Sequence, residues 1–103
     1  MQTISEPRNA TRPGVAKTVK PINFFCSAPQ AQSVYLMGDF NGWNPSSLPM
    51  QRRVDGWWSL QIPLGPGHHR YQFLVDGKPT LDPHANGVTH TERYARVSLI
   101  AVS

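Results

Sequence analysis

The tightest constraint on the fold is a series of short segments in which apolar and polar residues alternate, each ended by a turn. Residues 56–64 are the clearest example, with two sets on opposite sides: Trp58, Leu60, Ile62 and Leu64 against Trp57, Ser59, Gln61 and Pro63. A period of two is that of a half-buried strand, so we predict that Trp58 lies in a core and Trp57 faces outward. No stretch has a helical period. Six to eight such strands predict an all-β chain folded as an antiparallel β-sandwich.

Turn residues separate the predicted strands. Asp-Gly pairs at 55–56 and 76–77, and Gly-Pro-Gly at 65–67, favour tight turns. The predicted strands cover, in chain order, residues 21–26, 34–37, 50–54, 56–64, 68–75 and 94–102. Residues 80–91 contain Pro83, Asn86 and Gly87 and are predicted to be mostly irregular.

Composition divides the chain near residue 20. Residues 1–19 contain Pro7, Pro13 and Gly14 with few apolar residues, which predicts a flexible N-terminal tail ahead of one sandwich domain over 20–103. The net charge is +4, and four cations fall in the first twenty residues: Arg8, Arg12, Lys17 and Lys20. Because these charges are spaced rather than clustered, we favour a solvated leader over a nucleic-acid-binding arm.

The single cysteine, Cys26, excludes an internal disulfide and is typical of a reducing compartment. Its place among alternating apolar residues predicts a small core residue rather than a nucleophile. No apolar run approaches the roughly 20 residues of a membrane span, and the first residues lack the hydrophobic segment of a signal peptide. A cytoplasmic protein without a membrane partner is therefore expected.

The pattern of ionisable residues argues against an enzyme. Three of the six acidic residues, Asp39, Asp55 and Asp76, lie beside glycine in predicted turns, where aspartate bonds the backbone. The sequence offers no facing carboxylate pair of the kind that glycosidases use. The four histidines have no metal-binding spacing, and His69 is predicted to be a hydrogen-bonded residue at the rim of the core. We predict no catalytic residue, no metal and no cofactor.

Residues 34–45 are the most informative stretch. A short strand, with Val34 and Leu36 predicted to face inward, runs into Gly-Asp-Phe-Asn-Gly-Trp at residues 38–43. Glycine and asparagine favour a sharp irregular loop there. That loop carries two large rings, Phe40 and Trp43, and the first is predicted to plug the core, which leaves the second near the surface.

This motif resembles the signature of the glycogen-binding domain of the AMP-activated protein kinase beta subunit, within the family-48 carbohydrate-binding modules. A second block at residues 64–77, Leu-Gly-Pro-Gly-His-His-Arg-Tyr-Gln-Phe-Leu-Val-Asp-Gly, followed by Asp82-Pro83, is similar to the family as well. The resemblance covers about residues 20–102. It implies an immunoglobulin-like early-set sandwich that binds an α-glucan polysaccharide or maltooligosaccharide without cleaving it.

The resemblance also implies a site. The family's sugar-stacking tryptophan falls on Trp43, while its sugar-contacting lysine is replaced by Gln72, predicted to face outward, and its second tryptophan by Lys78-Pro79. Binding is therefore expected to be weak or altered. Asn41 and Asn44 flank Trp43, Arg96 offers a further donor, and Trp57 offers a further outward ring. The candidate carbohydrate-binding residues are therefore Trp43, Asn41, Asn44, Gln72, Lys78, Pro79, Arg96 and Trp57.

An alternative function stays open. The sandwich is also compatible with a protein-interaction or regulatory module that has lost sugar binding. Such a module would dock on a partner enzyme or kinase-like subunit through a sheet edge or through a surface formed by Trp57 and Tyr35.

Overall fold

The computed structural model describes residues 18–103, which form two antiparallel β-sheets packed as a sandwich, as predicted. The predicted N-terminal tail lies, except for its last two residues, outside the described part of the chain. The described residues form eight strands: β1 (Lys20–Ser27), β2 (Val34–Gly38), β3 (Gln51–Arg52), β4 (Trp57–Leu64), β5 (Gly67–Val75), β6 (Lys78–Thr80), β7 (Gly87–Thr89) and β8 (Val97–Val102). The described residues contain no helix with the length and hydropathy needed to cross a bilayer.

The strands divide between a small and a large sheet. The small sheet has the order β1-β4-β3, and the large sheet has the order β2-β5-β8-β7, with β6 also paired to β5. The register of the small sheet places Cys26 opposite Trp58 and Phe24 opposite Leu60. Residues that face each other across an antiparallel pair share one face, so these side chains point together into the sandwich.

The main core lies between the two sheets. Its largest members are aromatic: Phe24 and Tyr71 meet edge to face with ring centroids 4.9 Å apart, and Trp58 and Phe73 are buried beside them. The prediction of Trp58 as core and Trp57 as outward-facing is confirmed, and Cys26 is buried as predicted. Burial, and then the nearby charge of Asp82, raises the pKa of the Cys26 thiol.

A second apolar layer covers the outer face of the large sheet. Met37, Leu74 and Val97 are buried but stand apart from the main core cluster, and Gln72 is buried with them. Met37 and Gln72 are direct cross-strand partners on this face. Loop residues Trp43 and Tyr94 line a groove together with Met37 and Leu74. These loops therefore cover the outer face of the large sheet, which would otherwise be exposed to solvent.

Three features of the C-terminal half differ from the sequence-based prediction. The strands β6 and β7 were not predicted: β7 lies within residues 80–91, predicted as mostly irregular, and β6 begins just before them. A three-residue strand is too short to show a period. Pro79 is tolerated in β6 because, within the described sheet, this strand pairs with β5 alone and leaves an edge free. The last strand begins at Val97 rather than Tyr94, which leaves Tyr94 in a loop.

One polar pair anchors the loop after β6 to the core. The Tyr71 hydroxyl donates to Asp82 Oδ2 at 2.6 Å, and the Asp82 N–H donates to the buried Ser98 Oγ at 2.8 Å. Burial first, and then the hydrogen bond and charge of Asp82, raise the pKa of Tyr71 well above its ordinary value. The phenol therefore stays neutral over the physiological pH range.

This shift predicts a loss of stability in alkali. Because the pKa of Tyr71 is higher in the folded chain than its ordinary unfolded value of about 10, its contribution is complete below that pH and declines as the pH rises above it. Urea midpoints between pH 8 and pH 11 should fall more steeply for the parent than for Tyr71→Phe. Parallel profiles for the two proteins would contradict the assignment.

Trp58 should be the most costly tryptophan to lose. Trp58→Ala removes a buried ring and leaves the carbonyl of Ala28 without the indole N–H that donates to it at 2.9 Å. We expect a loss of about 3–5 kcal/mol in the free energy of unfolding, measured by urea denaturation. Trp57→Ala, on the outer face, is the matched control and should cost much less. Equal losses of unfolding free energy in the two variants would contradict the assignment of Trp58 to the core.

Candidate functional site

The loop after β2 approaches the backbone of β5 closely at Gly38. A Cβ atom at this position would lie 2.5 Å from the carbonyl oxygen of Arg70 and 2.7 Å from the ring of Phe40. Only glycine fits between them. The next residue, Asp39, accepts a hydrogen bond from the Arg70 N–H at 3.0 Å through Oδ2. The loop is thereby fixed to the strand that crosses the centre of the large sheet.

The side-chain amide of Asn41 closes this loop. Its Oδ1 accepts from the Gly38 N–H at 3.0 Å, and its Nδ2 donates to the Asn44 carbonyl at 3.1 Å and to Ser47 Oγ at 2.9 Å. Both N–H groups of the amide are used inside the loop. Asn41, predicted as a sugar-binding residue, therefore holds the loop in shape.

Phe40 and Trp43 leave the loop in different directions. Phe40 is half-buried and packs against the core, with its ring centroid 6.0 Å from that of Phe24. His69 lies on its other side, 6.4 Å away, and its Nε2 bonds the Gly65 carbonyl at 2.9 Å, as predicted for a rim histidine. Phe40 therefore closes one end of the core.

Trp43 is half-buried and is held in an uncommon backbone conformation. Its φ of 59° is left-handed, and its N–H donates to the Gly38 carbonyl at 2.9 Å. For a bulky residue such a φ costs about 1–3 kcal/mol, a cost typical of functional positions. The indole lies against Tyr94, with ring centroids 5.0 Å apart and an interplanar angle of 40°.

These rings border a groove of about 470 Å³, which we call the Trp43 groove. Strand residues form its floor, and loop residues form its sides. The floor consists of Tyr35, Met37, Leu74 and Pro79, and the sides include Trp43, Pro45, Arg93 and Tyr94. The Arg93 guanidinium lies 5.8 Å from the centroid of the Tyr94 ring. The groove thus combines flat apolar surfaces with a cation at its side.

Two of the predicted site residues line this groove, and a third, Asn44, lies next to Trp43 in the chain. Trp43 and Pro79 line it, and Pro79 is the cross-strand partner of Leu74 on the floor. Asn44 is exposed in the Trp43 loop, and its Oδ1 accepts from the Ser46 N–H at 2.9 Å. Among the described residues, no acceptor is recorded for its Nδ2.

Four predicted site residues lie elsewhere. Gln72 lies on the outer face of the large sheet, as predicted, but the prediction that it can reach a sugar was wrong, because it is only 2% exposed. Its Nε2 has no hydrogen-bond partner in the described part of the chain. Lys78 is the partner of Val75 and lies on the opposite face of β6 from Pro79. Arg96 is exposed but does not line the groove. Trp57 lines a different cleft, beside the small sheet.

Sequence reasoning missed Tyr94 and Arg93. The alternation in residues 94–102 placed Tyr94 inside the last strand, whereas β8 begins three residues later. A tyrosine next to an arginine, ahead of a strand, was the available signal, because aromatic and guanidinium groups stack in polar loops. Tyr35 was predicted on the outer face but was not recognised as groove floor.

Comparison with known proteins assigns the family. Residues 12–93 match carbohydrate-binding module 48, the isoamylase N-terminal domain. Because this match covers most of the chain, the protein belongs to that family. The match does not single out the kinase beta subunits within it.

The similar proteins are much longer enzymes. The chain is 40% identical over 72 residues to the 1,4-alpha-glucan branching enzyme GlgB 2 of Xanthomonas oryzae pv. oryzae, covering 65% of this chain and 10% of the enzyme. It is 34% identical over 99 residues to the 1,4-alpha-glucan branching enzyme GlgB of Synechococcus sp. (strain RCC307), covering 91% of this chain and 13% of the enzyme. The chain therefore spans about a tenth of the length of these relatives.

Asn41 should matter more for stability than its neighbour Asn44. Asn41→Ala leaves the Gly38 N–H without its partner and opens the loop, so we expect a loss of about 1–3 kcal/mol in the free energy of unfolding. Asn44→Ala removes bonds to the exposed Ser46 alone and serves as the control. Equal urea midpoints for the two variants would contradict the role given to Asn41.

Proposed function

We propose that this chain is a non-catalytic module that binds α-glucan, such as a glycogen- or starch-like chain or a maltooligosaccharide, in the Trp43 groove. The observation that carries the proposal is the half-buried Trp43 ring, held at a positive φ by a loop that is hydrogen-bonded throughout. Family membership supports a carbohydrate ligand. Similarity to 1,4-alpha-glucan branching enzymes supports an α-glucan in particular.

The groove chemistry suits a pyranose ring. The C–H face of glucose is apolar and stacks on flat aromatic surfaces, which removes apolar area from water without a deep pocket. Trp43 and Tyr94 supply rings, and Pro79 continues the apolar surface along the floor. Arg93 at the side and the Nδ2 of Asn44 supply donors for hydroxyl oxygens.

Binding in this groove should be weak. Gln72 is buried and cannot reach a ligand in this conformation, and Pro79 replaces the family's second stacking tryptophan. Tyr94 compensates in part because it adds a second ring beside Trp43. We expect millimolar affinity for a short oligosaccharide, about 4 kcal/mol in binding free energy.

A module of this kind acts by tethering. We infer that the chain brings glucan to a catalytic domain or partner enzyme. In the similar branching enzymes, the segment that matches this chain makes up about a tenth of the whole enzyme. Glycogen is the ligand suggested by the resemblance to the kinase beta subunit, and a kinase-like partner is suggested by the same resemblance. A cytoplasmic location stays a prediction.

The alternative, a protein-interaction module without sugar binding, draws on a different feature. Tyr35 and Trp57 line separate clefts beside different sheets, so they do not form the single docking surface that was predicted. The other predicted route is a sheet edge, and β1 pairs with β4 alone among the described strands. Retention of a protein partner after amylase treatment would favour this alternative.

The proposal predicts the effect of removing the ring. In a maltoheptaose titration followed by calorimetry, Trp43→Ala should weaken binding about tenfold or more, a loss of ~1.4 kcal/mol, because the stacking surface is gone. Stability should fall, but by less than in Trp58→Ala, because the ring lies outside the main core and helps to cover Met37 and Leu74.

Adjacent residues of β6 provide a matched control. Pro79 lines the groove and Lys78 lies on the opposite face, so Pro79→Ala should weaken binding while Lys78→Ala leaves it intact. The proposed function would be contradicted if the parent protein released or absorbed no heat of binding at millimolar maltoheptaose. It would also be contradicted if Trp43→Ala bound the sugar as tightly as the parent.

A further inference from the structure

A second cleft, of about 570 Å³, lies at the β1 edge of the sandwich, where β1, the β3–β4 turn and residues 82–86 meet Tyr71 and Ile100 of the large sheet. We call it the Trp57 cleft. We propose that it is a second α-glucan contact, separate from the Trp43 groove. The identity of the sugar rests on the proposed function, whereas the existence of the site rests on the side chains of the cleft.

Two aromatic rings border the Trp57 cleft without belonging to the main core. Phe25 is 45% exposed and Trp57 is half-buried, and both lie on the outer face of the small sheet. The backbone of Trp57 is fixed, because its N–H donates to Asp55 Oδ1 at 3.0 Å. Neighbouring exposed rings in a concave site mark a binding surface for a ligand with an apolar face.

Two amide side chains in the cleft have their oxygens occupied and their nitrogens available. Asn23 Oδ1 accepts from Gln61 Nε2 at 3.0 Å, and Asn86 Oδ1 accepts from the Ala101 N–H at 2.8 Å. Among the described residues, no acceptor is recorded for either Nδ2 group. These internal bonds orient both amides, so each offers N–H donors that a sugar hydroxyl oxygen can accept.

The charged groups of the cleft already have partners within the chain, which favours a neutral ligand. Arg53 Nε lies 3.6 Å from Asp55 Oδ2, and the Asp82 carboxylate already accepts from the Tyr71 hydroxyl and the His84 N–H. No group of three or more potential metal-binding side chains converges within residues 18–103. With two carboxylates and one arginine in its lining, the cleft disfavours a phosphate. Aromatic rings beside amide donors match an uncharged pyranose better.

Two contacts beside different sheets would make the module bivalent. A short oligosaccharide occupies either site independently, whereas a branched polysaccharide presents chain ends to both. The second contact is then intramolecular and raises the apparent affinity through effective concentration. This would offset the weakness of the Trp43 groove when the ligand is a large glucan particle.

The three tryptophans of the chain allow the two sites to be read separately. In a ¹⁵N-labelled protein, the indole N–H signal of Trp43 reports the groove and that of Trp57 reports the cleft. Trp58, buried with its Nε1 bonded to the Ala28 carbonyl, is the internal reference. On titration with maltoheptaose we expect the Trp43 and Trp57 signals to move to saturation and the Trp58 signal to stay in place. In Trp43→Ala the Trp57 shift should persist.

A matched pair of variants isolates the cleft. Asn23→Ala and Gln61→Ala break the same exposed hydrogen bond, but of the two residues only Asn23 lines the cleft. Asn23→Ala should weaken the affinity read from the Trp57 signal about threefold to tenfold, the value of a lost hydrogen bond. Gln61→Ala removes only the bond that orients the Asn23 amide and should weaken this affinity clearly less. Equal effects of the two variants would overturn the inference.

The remaining outcomes separate the two proposals. A Trp43 shift without a Trp57 shift, or a Trp57 shift that vanishes in Trp43→Ala, overturns the second contact and leaves the proposed function standing. A Trp57 shift that persists in Trp43→Ala and weakens more with Asn23→Ala than with Gln61→Ala supports the second contact. If neither signal moves at millimolar sugar, both proposals fail.

Discussion

The side-chain amide of Asn41 joins the start of the loop after β2 to its end, through bonds to Gly38, Asn44 and Ser47. This closure is possible because Gly38 lets the loop lie against the backbone of β5, where any Cβ would collide. The three residues that follow Gly38 have different roles. Asp39 binds the backbone of β5, Phe40 closes one end of the core, and Asn41 closes the loop. The outcome is a tryptophan at position 43 whose backbone is strained and whose ring is free of the main core.

The ring at position 43 also explains the unusual outer face of the large sheet. Met37 and Leu74 would be exposed on an open antiparallel sheet, yet they are buried in a layer of their own. Trp43 and Tyr94 come together over this face from loops about fifty positions apart in the sequence. The same contacts therefore bury the apolar layer and build a groove, so the groove is a consequence of how the sheet is covered.

Much of the fold follows from local pattern, but the site follows only in part. Alternation identified the inward faces of β1, β2 and β4, and the Asp-Gly pairs identified two turns. Both patterns depend only on residues that are close together in the sequence. The burial of Gln72 and the position of Tyr94 depend on a loop that folds back over a distant strand pair, which no local period encodes. Alternation likewise predicted that Trp57 faces outward without revealing that it lies beside the other sheet.

The most direct test of the central claim is contact between sugar and ring. Intermolecular NOEs, measured in a saturating maltooligosaccharide, should connect the ring C–H protons of glucose to the indole protons of Trp43 and to the ring protons of Tyr94. That pattern would establish the loop after β2 as a platform for an α-glucan. Sugar NOEs confined to other residues, with the Trp43 ring silent at saturation, would contradict it.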